Sequence, residues 1–372
     1  MSRMRLREII GKPLTGEWGN EDLTGTGVPV LRTTNFTNDG IISFDNVVTR
    51  DISPNRLNDK WLKHGDIIIE KSGGSDRQPV GRVVYYVGEN NAYTFNNFTS
   101  ALRVQDQSHW NPKFVFYALF YNYAIGGTRK YENKTTGLHN LKLNLFVDKF
   151  AINWISVSEQ NRIVAVIDAI THLISLRQRQ AEKLDELVKA RFVEMFGDPV
   201  LNTRRLPSAF GTSLFKLSNG KAVPAEKRFD SGIPAYGGNG ISWYTDEALI
   251  NTDTLVVGRV GFQSGNVHFA YGPLWITDNA MYVTWYRKEL ICLRFLNQLM
   301  KRVDFSRYQD AGDLKKITQK PFMKFEYILP SMNLQMEFVN FMDSVNCEKE
   351  RIQRSAALLE TLKRSLMQQY FG

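Results

Sequence analysis

The sequence predicts an α+β fold in which two similar mixed α/β domains are separated by two long helices that form a coiled coil, as a pseudo-two-fold repeat. Three observations lead to this prediction: the chain repeats itself, each repeat carries a sustained heptad pattern, and the intervening segments contain glycine-punctuated strand patterns. The predicted boundaries are 1–154 for the first domain, 155–197 for the central helix, 198–329 for the second domain and 330–372 for the C-terminal helix.

The repeat is found by comparing the chain with itself. An offset of 330 − 155 = 175 residues lays 155–197 on 330–372 without a gap. The coinciding positions include Gln160 with Gln335, Val164 with Val339, Asp168 with Asp343, Leu184 with Leu359, and Phe196-Gly197 with Phe371-Gly372. Self-similarity at a fixed offset indicates that one structural unit occurs twice.

Each copy carries the pattern of a coiled-coil helix. Eight of ten successive heptad positions are apolar in both copies, and no proline or glycine interrupts them. The predicted seam is centred on Ile163, Ile167, Ile170, Ile174, Leu184, Phe338, Met342, Val345, Ile352 and Leu359, and it is interrupted by Arg177, Arg191, Lys349 and Lys363. Two such helices bury their stripes most simply side by side, although two long helices in one bundle would satisfy the same pattern.

The two intervening segments resemble each other more loosely. Alternating and β-branched runs at 82–87 and 254–257 predict strands, and helices are expected at 112–123 and 288–303. Each half of the chain is therefore expected to be a mixed globular domain followed by a long helix.

Composition narrows the classes of function. Lysine and arginine exceed aspartate and glutamate by 47 − 38 = 9, which favours polyanionic partners, although a basic surface that binds nothing fits equally well. Two cysteines and five scattered histidines make neither a disulfide framework nor a metal site, so no metal is expected. Because no segment has the length of a membrane span or the pattern of a signal peptide, a cytoplasmic protein without membrane contact is expected.

The start of each predicted helix carries a signature, INWISVSEQNRIVAVID in the first copy and YILPSMNLQMEFVNFMD in the second. Together with the repeat, this signature resembles the specificity subunits of type I restriction-modification systems, and the resemblance covers essentially the whole chain. The first copy departs from the family pattern at 155–158, where prolines are usual, and the second has Leu334 in place of glutamate.

This resemblance implies two target-recognition domains held apart by an antiparallel coiled coil, each domain reading one half of an asymmetric, bipartite site in double-stranded DNA. The coiled coil is then expected to set the spacer between the half-sites and to dock two modification subunits, which restriction and translocase subunits join. S-adenosylmethionine, ATP and Mg²⁺ are expected on the partner subunits and no cofactor in this chain, which is expected to be a recognition subunit without a catalytic centre.

Two other classes of function stay open. Asn111-Pro112-Lys113-Phe114 is close to the Asn-Pro-Pro-Phe/Tyr loop of adenine methyltransferases, and Asp313-Leu314-Lys315 has an acid-x-Lys spacing used by nucleases. A helix start and a loop explain these two stretches more simply, so a divergent methyltransferase or nuclease fragment is kept only as an alternative. The other alternative is a coiled-coil tether or scaffold whose globular domains bind proteins. The sequence has no Gly-x-x-x-x-Gly-Lys-Ser/Thr loop, which excludes the usual ATPase motor.

Specific readout of DNA needs polar side chains that reach base edges, while basic side chains and glycine-rich backbone contact phosphates. Four loops rich in such residues are therefore expected to contact DNA, although a solvated loop explains any single residue equally well. In the first domain the candidates are Lys71, Ser72, Gly73, Arg77, Gln78, Arg129, Lys130, Tyr131, Asn133, Lys134, Thr135, His139 and Asn140. In the second domain they are Tyr236, Asn239, Arg259, Gln263, Asn266, Arg302, Arg307, Tyr308, Gln309 and Lys315.

Overall fold

The structure is a computed structural model that describes residues 3–135, 138–312 and 315–372, without the side chains of 134, 135 and 138. Packing divides the chain into unit 1, which comprises Met1–Arg177 and Arg354–Gly372, and unit 2, which comprises Gln178–Gln353. Each unit therefore contains a globular region and parts of two long helices. The domain boundaries at 154, 197 and 329 stay a prediction.

Unit 1 is built from short strands and helices that precede the first long helix. In chain order the elements are β1 (Arg3–Arg5), α1 (Leu6–Ile10), β2 (Leu14–Thr15), β3 (Asn20–Glu21), β4 (Val28–Leu31), β5 (Val48–Asp51), β6 (Ile67–Glu70), β7 (Ser72–Gly74), β8 (Val83–Tyr85), β9 (Thr94–Phe95), β10 (Thr99–Leu102), α2 (Pro112–Ala124), β11 (Glu132–Thr135), β12 (Leu138–Leu141), α3 (Leu143–Lys149), β13 (Ala151–Asn153) and α4 (Val157–Phe196). The central sheet has the antiparallel order β2-β10-β6-β8, and a second sheet has the order β3-β5-β4-β9. All four residues of β6 are buried, because its β-branched run Ile67–Ile69 has protein on both faces.

Unit 2 contains the end of α4 and the beginning of the second long helix. Its elements are β14 (Ser208–Phe210), α5 (Gly211–Leu214), β15 (Phe215–Asn219), β16 (Ile233–Gly237), β17 (Gly240–Thr245), β18 (Thr254–Gly258), β19 (Val267–Ala270), β20 (Trp275–Ile276), β21 (Ala280–Tyr286), α6 (Leu293–Met300), α7 (Lys320–Lys324), β22 (Glu326–Ile328) and α8 (Met332–Phe371). The central sheet has the order β15-β21-β18-β19. This order matches that of unit 1 strand for strand, so the repeat extends from the helices into the globular regions.

Strand register allows positions in the two units to be matched. Ile69 lies opposite Val83 in unit 1, as Val257 lies opposite Val267 in unit 2. The residue after Ile69, Glu70, therefore corresponds to the residue after Val257, Gly258. A parallel pair also recurs, between β4 and β9 in one unit and between β16 and β20 in the other.

Most of the strand and helix predictions agree with these elements. The predicted strand at 254–257 is confirmed as β18, and that at 82–87 contains the shorter β8. The predicted helix at 112–123 is confirmed as α2, whose cap is Asn111: its side chain accepts hydrogen bonds from the backbone N–H groups of Lys113 (2.8 Å) and Phe114 (3.3 Å). Asn111-Pro112 is therefore a helix start, as the simpler interpretation expected.

The helix predicted at 288–303 was too long. Only Leu293–Met300 is helical, as α6. The backbone N–H of Ile291 instead closes a turn onto the carbonyl of Arg287 at 3.0 Å, and Cys292 has extended backbone with φ −74° and ψ 132°. An extended residue at the N-cap prevents a helix from reaching further back.

The two long helices are confirmed, because α4 and α8 each span 40 residues. Seam residues in the first half of each helix are buried, and those further along are partly buried. The buried ones are Ile163, Ile167, Ile170, Ile174, Phe338, Met342 and Val345; the partly buried ones are Leu184, Ile352 and Leu359. The first half of each helix is better covered because it also joins the core of its own unit, as Ile163 and Phe338 do.

The helices run antiparallel within each unit. In unit 2, Lys349 Nζ lies 2.6 Å from Asp185 Oδ1, and Arg191 Nη2 lies 3.0 Å from Glu337 Oε1. The later residue of α4 thus pairs with the earlier residue of α8. In unit 1 the beginning of α4 likewise lies beside the end of α8, since Ile163 and Met367 belong to one buried cluster.

A buried glutamine joins α4 to the globular region of unit 1. The side chain of Gln160 is fully buried, and its Nε2 donates to the carbonyl oxygens of His109 and Ile155, both at 2.9 Å. Its Oε1 accepts a hydrogen bond from the backbone N–H of Asn111 at 2.8 Å. One side chain therefore satisfies three backbone groups.

Gln335 makes the same three contacts for α8 in unit 2. Its Nε2 donates to the carbonyl oxygens of Leu290 (2.9 Å) and Pro330 (2.8 Å), and its Oε1 accepts from the backbone N–H of Cys292 at 2.8 Å. The coincidence of Gln160 and Gln335 in the sequence therefore reflects one anchoring contact built twice.

Candidate functional site

The two candidate stretches of unit 1 form one surface. β7 pairs with β12, so that Ser72 lies opposite Asn140, and their side chains are 2.5 Å apart. The backbone N–H of Leu141 also donates to the carbonyl of Lys71 at 2.8 Å. The prediction that both stretches are loops was wrong in part, because β7, β11 and β12 are paired in the three-stranded sheet β11-β12-β7, whereas residues 75–78 stay outside the strands.

The exposed candidates of unit 1 are Gly73, Arg77, Gln78, Arg129, Lys130 and Asn133, and the half-buried ones are Lys71, Ser72, Tyr131 and Asn140. Burial lowers the pKa of the Lys71 ammonium. Tyr131 turns its ring toward the core, 5.3 Å from that of Phe146. The side chains of Lys134 and Thr135 lie outside the described residues.

His139 differs from the other candidates because its side chain is only 5% exposed. Its Nδ1 lies 3.0 Å from Glu132 Oε2, and its Nε2 lies 3.6 Å from Asp76 Oδ1. The other oxygen of Glu132 accepts from the backbone N–H of Val80 at 3.0 Å. His139 is therefore a buried residue and not an exposed loop residue as predicted. Its two contacts connect the turn that contains Asp76 to the β11–β12 hairpin.

A cavity of about 310 Å³ adjoins this surface, and of its lining residues only Gly73 and Gln78 were predicted from the sequence. It is lined by Thr33, Thr34, Phe36, Glu70, Gly73, Gly74, Gln78 and Arg82. The Arg82 guanidinium donates to the carbonyls of Thr33 (2.9 Å) and Phe36 (3.1 Å) and lies 3.5 Å from Glu70. Burial raises the pKa of Glu70, and the charge of Arg82 opposes that rise. In the sequence, Glu70 ends the apolar run Ile67–Ile69, and this carboxylate is the signal that could have indicated the cavity.

The candidates of unit 2 also converge from distant parts of the sequence. The backbone N–H of Gly261 donates to the carbonyl of Lys315 at 2.8 Å, and that of Ile317 donates to the carbonyl of Arg259 at 2.9 Å. Gln309 Nε2 donates to the carbonyl of Ser264 at 2.7 Å. The loop after β18 is thus hydrogen-bonded to Gln309, Lys315 and Ile317, as the loop after β6 is hydrogen-bonded to β12 in unit 1.

The turn between β16 and β17 reaches the same place in unit 2. Gly258 and Gly238 approach so closely that a Cβ on Gly258 would collide with the Gly238 carbonyl oxygen. Asn239 follows Gly238 in this turn and is exposed, whereas Tyr236 is half-buried, and burial raises the pKa of its hydroxyl. The close glycine contact places Asn239 beside the loop that follows β18.

Arg302, a predicted DNA contact, packs against other residues of the chain. Its guanidinium carbon lies 3.8 Å from the ring centre of Phe192, and Nη1 donates to the carbonyl and side-chain oxygens of Gln298 at 2.8 and 2.9 Å. Burial lowers its pKa to about 10, so it stays charged at neutral pH. The exposed candidates of unit 2 are Asn239, Gln263, Asn266, Arg307 and Tyr308, and the half-buried ones are Tyr236, Arg259, Arg302, Gln309 and Lys315.

The charge on both surfaces is available to a ligand. Within the described residues, no ion pair involves Arg77, Lys130 or Arg307, and all three side chains are exposed. Exposed cations, and exposed amides such as Gln78 and Gln263, are the groups that contact phosphates and base edges.

Two further features were sought in residues 3–135, 138–312 and 315–372: a metal site and a membrane-spanning helix. In that part of the chain no group of three or more His, Cys, Asp or Glu is placed to hold a metal ion. No helix there has both the length and the apolar character needed to cross a membrane. The pair Asp313-Leu314 of the nuclease-like spacing lies outside the described residues.

Comparison with known proteins finds similarity in structure only. No family model and no curated protein matches the sequence. The crystal structure of the type I restriction-modification S subunit from M. genitalium matches with a TM-score of 0.62 and 15% identity, covering 100% of this chain and 96% of that one. A chain from a structure on complex assembly and conformational transition of the type I R-M system matches with a TM-score of 0.59 and 16% identity, covering 100% and 97%. The chain therefore has the fold of type I S subunits, two mixed domains with a coiled coil, as predicted.

Proposed function

We propose that this chain is the DNA sequence-specificity subunit of a type I restriction-modification complex, in which each unit reads one half of a bipartite, asymmetric site in double-stranded DNA. The observation that carries the proposal is the repetition of one scaffold with two different polar surfaces at equivalent positions. Two readers of different half-sites need a common frame and unlike contact residues. The likeness in fold to S subunits supports the same assignment.

The chemistry of the surfaces supports contact with DNA. Arg77, Lys130 and Arg307 would neutralise phosphates, which releases counterions and makes binding dependent on salt. Gln78, Gln263 and other exposed amides would contact base edges, where glutamine pairs with adenine through two hydrogen bonds.

The long helices carry exposed apolar residues that support docking of partner subunits. At heptad position g, Val166 (38% exposed), Leu173 (43%) and Leu362 (47%) lie in unit 1, while Leu187 (46%) and Leu334 (41%) lie in unit 2. In an antiparallel pair the g positions of both helices flank the same side of the seam. These exposed side chains would give each unit an apolar surface for one modification subunit, and so two in the complex.

In this proposal the chain supplies recognition and its partners supply catalysis in the cytoplasm. S-adenosylmethionine would bind the modification subunits, and ATP and Mg²⁺ the restriction and translocase subunits. The contribution of this chain is to hold a chosen DNA sequence in register with those partners.

The proposal is tested by sequencing methylated bases in a methylation-deficient host that expresses this chain with its neighbouring modification subunit. Adenine methylation at a single bipartite motif is expected, and it should disappear when this chain is omitted. An assembled complex, active on other templates, that methylates no motif would favour a protein-binding tether. S-adenosylmethionine binding or DNA cleavage by the isolated chain would favour an enzyme.

The helices are further proposed to set the spacer between the half-sites. Inserting one heptad into both α4 and α8 adds about 10 Å of helix to each and keeps the seam in register. The methylated motif should then keep both half-sites and gain spacer length. An unchanged spacer in a correctly assembled complex would contradict this role.

A further inference from the structure

Phe262 is placed unusually for an aromatic residue. It lies in the loop between β18 and β19 of unit 2, and its side chain is 89% exposed. A phenyl ring left in water forgoes the stabilisation that burial brings. At this exposure the ring takes no part in the core and is accessible to a ligand.

The loop is held too firmly for this exposure to come from a loose segment. The backbone N–H of Ser264 donates to the carbonyl of Gly261 at 3.0 Å, and that of Gly265 donates to the carbonyl of Gly258 at 2.8 Å. Gln309 Nε2 also donates to the carbonyl of Phe262 itself at 3.3 Å. These bonds fix the backbone on both sides of Phe262, so its ring is held outward.

The loop positions next to Phe262 are a glycine and a polar residue, Gly261 and Gln263. Gln263 and Asn266 are exposed, and the segment fastened beneath the loop carries the exposed Arg307 and Tyr308. A ring set among amides, a cation and a tyrosine differs from the apolar patches through which proteins usually dock. It matches DNA interfaces, where an apolar side chain packs on a thymine methyl group or against a base step among polar contacts.

Building on the proposed function, we infer that Phe262 contacts bases directly and helps to select the half-site read by unit 2. The corresponding loop of unit 1, which follows β6, carries Ser75, Asp76, Arg77 and Gln78 and has no aromatic residue. The two units would therefore read DNA by different chemistry, one through polar groups and the other through an apolar contact as well.

The test measures affinity of the assembled complex for DNA in which each base pair of both half-sites is replaced singly. Phe262→Ala should weaken binding to the cognate site about ten-fold or more. At one or more positions of the unit 2 half-site, a base-pair replacement should then cost less than it costs wild type. Replacements in the other half-site should cost the same in both proteins.

Two variants accompany this test. Phe262→Leu keeps part of the apolar surface and should give an intermediate loss. Phe210→Ala removes another exposed ring of unit 2, 55% exposed and located in β14, and should bind DNA as wild type does. Thermal unfolding of each variant confirms that the fold is intact, as expected for substitutions at exposed positions.

Identical costs for every replacement in wild type and Phe262→Ala would overturn the inference. Loss of co-purification with the modification subunit, with base discrimination unchanged, would also overturn it, because the ring would then contact protein. Failure of the proposed function is distinguishable, since wild type itself would then discriminate at no bipartite site.

Discussion

Unit 1 and unit 2 share a sheet order, yet the surfaces at the ends of their matched strands are built differently. In unit 1 the loop after β6 becomes strand β7 and pairs with β12, over a buried His139–Glu132 contact. In unit 2 the loop after β18 forms no strand and is fastened by Gln309 and by the isolated antiparallel bridge between Val260 and Lys316. The scaffold is therefore specified twice in the same way, while each polar surface has its own support.

The shared part extends to the contacts between the globular regions and the long helices. Besides the two glutamines, Lys113 pairs with Asp168 at 2.8 Å in unit 1, and Arg294 pairs with Asp343 in unit 2. Both pairs join the helix that follows the central sheet to its long helix. Substitutions at equivalent contacts should therefore change the free energy of unfolding by equal amounts. Substitutions in the differing supports should each affect only their own surface.

The largest expected effect comes from the buried glutamines. Gln160→Leu or Gln335→Leu would leave one backbone N–H and two carbonyls without their side-chain partner. Because each orphaned group costs about 1–3 kcal/mol, either variant should lose about 3 kcal/mol or more of unfolding free energy. Denaturant unfolding measures both losses, and Gln178→Ala, at an exposed position of α4, should stay within about 0.5 kcal/mol of wild type. A large loss for one glutamine and a small loss for the other would break the equivalence of the units.

A smaller effect should separate the supports of the two surfaces. His139→Ala leaves the buried carboxylate of Glu132 with one fewer partner and should lower stability by about 2 kcal/mol. Gln309→Ala removes two side-chain hydrogen bonds on the unit 2 loop and should cost about 1 kcal/mol.

Hydrogen exchange of backbone amides locates each of these losses. His139→Ala should accelerate exchange at 72–78 and leave 261–266 unchanged, and Gln309→Ala should do the reverse. Acceleration of both loops by either variant would mean that the two supports are not independent.

The smallest effects distinguish two arginines of unit 2. Arg302→Leu removes the contact with Phe192 and should lower stability by about 1 kcal/mol without changing the salt dependence of DNA binding. Arg307→Ala should leave stability within about 0.5 kcal/mol and reduce the slope of log affinity against log salt by about 1. Titrations of DNA binding at several salt concentrations check both expectations. A reduced slope for Arg302→Leu would mean that Arg302 contacts DNA, as the sequence predicted.

Much of the fold was predictable because its signals are local or repeated. The heptads beginning at Ile163 and Phe338 report helical periodicity, and the coincidence of Gln160 with Gln335 reports a duplicated contact. The candidate site was predictable only as groups of residues. Both predicted groups of unit 1 do meet, but their meeting depends on the pairing of β7 with β12, which joins residues about 68 positions apart.

The sequence by itself determined the two long helices, their seam and the duplication of the scaffold, since periodicity and self-similarity act along the chain. Only the tertiary structure decided which polar side chains face outward. It buried His139 against Glu132, placed Arg302 over Phe192 and left Phe262 in solvent. The physical reason is that burial depends on partners brought in from distant segments, and no local pattern encodes those partners.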